Sequence, residues 1–179
     1  RMKHTVKHPM KYLLWLILSI PAIGMMTGYF SGKALSGELL HPTGEFSARF
    51  MIIAMLATPL LVLFRRFGWS LTVPQWLVRN RRYFGVAAFA YAALHTVFYI
   101  VDVGVWAEIL REFTSIGIWT GWLAFAIFIP LAITSNNRSQ RLLRTGWKTL
   151  QRWIYPAAVL TLLHWIFVHN NLGPALVHF

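Results

Sequence analysis

The sequence predicts an all-α, polytopic membrane helix bundle of five transmembrane helices, with the N-terminus in the cytoplasm. Three observations carry that expectation. The 179 residues are 57% hydrophobic and only 12% charged, with a mean hydropathy of +0.54, whereas soluble domains are roughly a quarter charged. Apolar runs recur along the whole length, each about 16 to 22 residues, which is the reach of a helix across a bilayer core. The charges also separate between the two ends of those runs. All 17 lysines and arginines except Lys33, Arg49 and Arg111 fall at 1–11, 65–82 and 138–152, on one side if the spans alternate. The five acids, Glu38, Glu45, Asp102, Glu108 and Glu112, join the exceptions on the other side. Lysine and arginine mark the cytoplasmic side. This sorting accounts for the net charge of +12 without nucleic acid, which is excluded as a partner.

The first span, 12–30, follows a basic stretch but is longer than a signal-peptide core and contains Pro21 and Gly24, which transmembrane helices tolerate. A turn-rich outer loop at 31–45 leads to the second span, 46–64, where Thr58 is expected to bond back to a carbonyl freed by Pro59. A basic inner loop ends in Arg79-Asn80-Arg81-Arg82, set among anionic headgroups immediately before the third span, 83–101. A short acidic loop precedes the fourth span, 113–134. The second inner loop includes an amphipathic turn at the interface, and the fifth span is 153–168. Trp69, Trp76, Trp106, Trp147 and Trp153 fall near the boundaries, as an aromatic belt does. The tail from Leu172 reads as a loop toward a sixth span, truncated or absent. With short loops and no internal repeat visible, residues 1–179 form one antiparallel bundle domain. No stretch is long enough for a flavin or nicotinamide domain, and the lack of cysteine removes disulfides and thiolate ligation.

Two of the seven histidines, His95 and His164, lie within apolar spans, where an ionisable side chain is a functional candidate by default. His95 stands about 13 residues, or roughly 20 Å, beyond Arg82, and His164 about 12 residues, or roughly 18 Å, beyond Arg152. Equal depth on two helices, in the outer half of the membrane, suits the axial ligands of one b-type haem. Each has an alanine at i−7 (Ala88, Ala157) and a small residue at i−3 (Ala92, Thr161), expected to let a flat macrocycle approach the backbone. Tyr91 and Tyr99 flank His95. A single intramembrane histidine more simply bonds a neighbouring helix; the matched depth favours a ligand pair. His169 points away from His164 and marks the outer interface. His41, beside Pro42, Thr43 and Gly44, either meets a propionate or forms a turn. His4, His8 and His178 are terminal and solvated. No grouping has the spacing of a zinc site.

The runs HPTGEFS, ATPLLVLFRR, RRYFGVAAFAYAALH and IPLAITS, in that order, resemble the ferric reductase-like transmembrane family, over nearly all of 38–169. The resemblance implies a haem b helix bundle in the bacterial inner (cytoplasmic) membrane. Such a bundle carries electrons to a periplasmic molybdopterin enzyme such as a methionine sulfoxide reductase, from a cytoplasmic flavin reductase or quinol, with FMN or quinone as further cofactors. It assigns His95 to the family pattern YAxLH and His164 to the histidine before an aromatic. Arg111 and Gly117 match an outer pattern in which Glu112 and Phe113 replace proline and tyrosine. One departure matters. Where the family has tryptophan, then leucine and histidine, this chain reads Trp147-Lys148-Thr149-Leu150-Gln151. A neutral amide is a poor ligand for ferric iron, so one haem is expected, with electron entry from the cytoplasm altered or lost.

The reading is therefore an electron-transfer subunit rather than a complete enzyme. The rival is a structural or assembly subunit of a larger membrane complex that keeps the fold without electron transfer. A transporter lacks support, because Asp102 lies at the outer rim and no carboxylate lies deep in a span.

Overall fold

The computed structural model describes residues 9–169, where the apolar runs are helical; among the described residues there is no strand. In hydrocarbon every backbone polar group must find its partner within the segment, and a helix does that. The order is α1 (Pro9–Phe30), α2 (Ser36–Arg66), α3 (Thr72–Val103), α4 (Trp106–Glu112), α5 (Ile116–Ile133), α6 (Asn137–Leu143), α7 (Thr145–Gln151) and α8 (Ile154–His169). Four of these, α1, α2, α3 and α5, are long and apolar enough to cross a membrane. α8, at 16 residues, corresponds to the fifth predicted span and is shorter than those four. His4, His8, His178 and the tail from Leu172 lie outside the described residues.

All four expected loops are partly helix: α4 lies in the acidic loop, α6 and α7 lie in the second inner loop, and α2 and α3 begin within the other two. The outer loop at 31–45 is reduced to a turn, and α2 begins at Ser36 despite the proline at 42. The Leu35 N–H donates to Glu38 Oε2 at 2.9 Å, and Asp102 at the far end of α3 accepts from Ser36 Oγ at 2.9 Å. Two carboxylates thus serve the positive end of the helix. Likewise Arg79-Asn80-Arg81-Arg82 does not precede the third helix but lies on it, since α3 starts at Thr72. Its 32 residues span about 48 Å against a hydrocarbon core of about 30 Å, so its basic first turns extend beyond the core. Thr58 accepts from Arg81 Nη1 across the α2–α3 pair at 3.4 Å, in place of the expected bond to its own helix.

The core is built from two antiparallel pairs, α2 with α3 and α5 with α8, which meet through α3 and α5. Met51, Ala88, Phe128, Leu131 and Ala157 come from these four helices and form one buried cluster. The alanines expected to admit a macrocycle are part of it, with Ala88 2% and Ala157 0% exposed. Their small side chains let the helices approach one another.

α1 packs against α3 through Leu14, Leu18, Phe84 and Ala87. Pro21 lies within α1, and next to it the Tyr91 hydroxyl donates to Leu18 O and accepts from the Ala22 N–H, both at 2.9 Å. Those two backbone groups are i and i+4, so a side chain of α3 has entered the α1 ladder, a recognised origin of helix bends. Of the five belt tryptophans, Trp69, Trp106 and Trp153 are exposed. Trp76 packs edge-on against Phe84, and Trp147 donates to Thr134 O at 2.9 Å.

Candidate functional site

α3 and α8 bring His95 and His164 together, with ring centres 6.1 Å apart and ring planes 85° from each other. Each imidazole is held from a neighbouring helix. His95 Nδ1 lies 2.8 Å from Leu40 O on α2, and His164 Nδ1 lies 2.7 Å from Gly117 O on α5. A carbonyl oxygen only accepts, so Nδ1 carries the proton in both rings. In a neutral imidazole the lone pair then sits on Nε2, and a second-shell acceptor on the other nitrogen is the usual way to fix a metal-binding tautomer.

The two carbonyls are presented alike. Thr43 donates to Leu39 O at 2.6 Å and Leu40 O at 3.0 Å; Thr120 donates to Ile116 O at 2.9 Å and Gly117 O at 2.8 Å. In each case the hydroxyl bonds back to i−4 and i−3, and the i−3 carbonyl also receives the histidine. The residue after each threonine is glycine. A Cβ on Gly44 would lie 3.2 Å from His95 Nδ1, and one on Gly121 only 2.6 Å from His164 Nδ1. Both threonines are almost fully buried.

Thr43 and Gly44 fall in the stretch expected as a turn-rich outer loop, and Thr120 and Gly121 have no role in the sequence expectation. A Thr-Gly step is no distinguishing signal, since it also occurs at Thr27-Gly28 and Thr145-Gly146. Gly117, noted only as part of an outer pattern, contributes its carbonyl.

These residues fit a metal held by two nitrogens. A metal–imidazole bond of about 2 Å on each side sets ring centres about 6 Å apart. Among the described residues no group of three or more histidine, cysteine, aspartate or glutamate side chains is placed to hold a metal ion; the pair offers two imidazole nitrogens, the number of protein ligands that a bis-histidine haem takes.

Arg82 and Gln151, each thirteen residues before one of the histidines, make a different arrangement. Arg82 donates to Asn137 Oδ1 at 2.6 Å and Gln140 Oε1 at 3.0 Å, and its guanidinium lies 6.0 Å from the Trp147 ring centre. Gln151 Nε2 donates to Leu131 O at 3.2 Å and Thr134 Oγ1 at 3.1 Å. Both side chains fasten the basic end of α3 and the α7 segment to the end of α5 and the start of α6.

The remaining candidates make other contacts. His41 is exposed on α2, with Nε2 4.0 Å from Glu45 Oε2. The backbone of His169 closes α8. Arg111 pairs with Glu108 on the surface, and Tyr99 donates to Glu112 Oε2 at 2.7 Å.

Residues 43–162 match the family model described as ferric reductase like transmembrane component. The chain is 35% identical over 144 residues to the protein-methionine-sulfoxide reductase heme-binding subunit MsrQ of Xanthomonas euvesicatoria pv. vesicatoria, covering 78% of this chain and 62% of that protein. To the MsrQ of Pectobacterium atrosepticum it is 31% identical over 166 residues, covering 90% of this chain and 76% of the relative. The chain thus spans under two thirds of the length of the Xanthomonas relative. No solved structure matches.

Proposed function

This chain belongs to the ferric reductase like transmembrane family, and on that footing we propose that it is a haem-binding electron-transfer subunit of the bacterial inner membrane. His95 and His164 would hold one b-type haem as its axial ligands. The observation that carries this reading is the pair itself: rings 6.1 Å apart, each with Nδ1 committed to a carbonyl and Nε2 left to ligate. Haem supplies a one-electron couple. The chain supplies two neutral imidazoles within a helix bundle, and ligand identity, hydrogen bonding and burial set the potential.

α8 is the fifth crossing, and the N-terminus is cytoplasmic. In support, Arg82 of α3 reaches Asn137 and Gln140 on α6, so two of the basic groups share one end of the bundle. Electrons enter there from a flavin reductase or quinol, with FMN or a quinone as carrier. They leave outward to a periplasmic molybdopterin reductase, of the methionine sulfoxide type that the relatives' names specify. A single haem follows from Arg82 and Gln151, whose nitrogens are spent on packing contacts.

The test is a pyridine haemochrome count with reduced-minus-oxidised spectra on purified membrane protein. One haem b per chain is expected, and two per chain would refute the single-site reading. The engagement of Arg82 and Gln151 also favours a second reading, a structural subunit of a larger membrane complex. A colourless protein from haem-replete cells would select it.

A further inference from the structure

The two histidines are seated by the same device on different helices. In each, a threonine hydroxyl and a histidine Nδ1–H converge on one carbonyl, three residues before the threonine. That carbonyl belongs to a helical ladder, where its usual partner is the N–H four residues on. This is Gly44 for Leu40 and Gly121 for Gly117. The ring reaches the oxygen past the α-carbon of that glycine, which is why a Cβ there would fall within 3.2 Å and 2.6 Å of Nδ1.

We propose that Thr43-Gly44 and Thr120-Gly121 are positioning residues. They fix the planes of the two axial imidazoles nearly perpendicular, and so set the electronic structure and potential of the haem. This rests on His95 and His164 being the axial pair. The ring planes stand 85° apart, and each ring donates to a helix backbone carbonyl, with Thr43 Oγ1 also 3.3 Å from His95 Nδ1. Crossed imidazoles donate into different iron d orbitals and leave the two orbitals that parallel imidazoles would split nearly equal in energy. Outer-shell partners of a ligating histidine govern its orientation and basicity in general.

The experiment is low-temperature EPR and redox titration of the purified, oxidised full chain. The expected wild-type signal is low-spin, with one very large g value and two poorly resolved ones. Gly121→Ala should retain haem, lower that g value toward a three-line rhombic spectrum and shift the midpoint potential. Gly44→Ala, whose Cβ has more room, should do the same to a smaller degree. Thr120→Val removes the hydroxyl at nearly constant volume and should shift the potential, with Thr120→Ser restoring it; this pair serves if Gly121→Ala does not accumulate. A rhombic wild-type spectrum, or unchanged spectra and potentials in haem-loaded Gly121→Ala and Thr120→Val, would overturn the proposal. A wild-type protein without haem would instead remove the axial-pair reading beneath it.

Discussion

Near His95 and His164 the helix pairs spend only one nitrogen of each side chain on holding the fold. Thirteen residues earlier, at Arg82 and Gln151, the same pairs spend the donors themselves on holding the fold. In both places polar side chains tie one helix to another: the histidines tie α3 to α2 and α8 to α5, while Arg82 ties α3 to α6 and Gln151 ties α7 to α5. They differ in what is left over. Imidazole has a second nitrogen whose lone pair survives the packing bond, whereas a guanidinium has no lone pair to offer. Coordination capacity in such a bundle is thus decided by the valence remaining after the backbone has taken its share.

The most severe way to break this comparison is His95→Ala or His164→Ala. Either should abolish the low-spin b-type Soret and α bands entirely, since among the described residues no third metal-binding side chain is grouped with the pair. An unchanged spectrum would remove that residue from the site.

Tyr91→Phe, which takes the hydroxyl out of the α1 ladder one turn before His95, comes next. A loss of about 1–2 kcal/mol is expected, read as a lowered Tm in detergent with the haem spectrum retained. Loss of the haem bands would show that α1 packing and the histidine pair are not separable.

Arg82→Ala should cost about 1 kcal/mol or less, because its amide partners are exposed and cation–π contacts of this kind are worth about 0.5–1 kcal/mol. Thermal unfolding with unchanged haem content checks it.

The smallest effect is expected from Gln151→His. The haem-to-protein ratio should stay at one, because Arg82 still occupies the corresponding position on α3. A second haem from this single change would show that the inner level differs from the outer only in its missing imidazole.

Much of this was legible beforehand, for identifiable reasons. His95 and His164 stood out because ionisable groups are costly in hydrocarbon, and counting residues from Arg82 and Arg152 set them at one depth. The start of α2 was misread because Ser36, Gly37 and Pro42 are turn formers locally, whereas Glu38 and Asp102 serve that helix end. The start of α3 was misread because its arginines mark the edge of hydrocarbon and not the edge of a helix. Ala88 and Ala157 were read as clearance for a ligand. Small residues serve equally to let helices touch, and a lone sequence does not separate the two uses.

By itself the sequence determined the membrane-protein, all-helical class, the sorting of charge along the chain and the two histidines that lie within apolar spans. These follow from transfer energies that act residue by residue. Only the tertiary structure decided which carbonyl each imidazole meets, that Thr43-Gly44 and Thr120-Gly121 are the same device used twice, and that Arg82 and Gln151 are spent on packing. Each of those is a contact between different helices, with partners 17 to 58 residues apart, and is fixed by which backbones pack closely enough to touch.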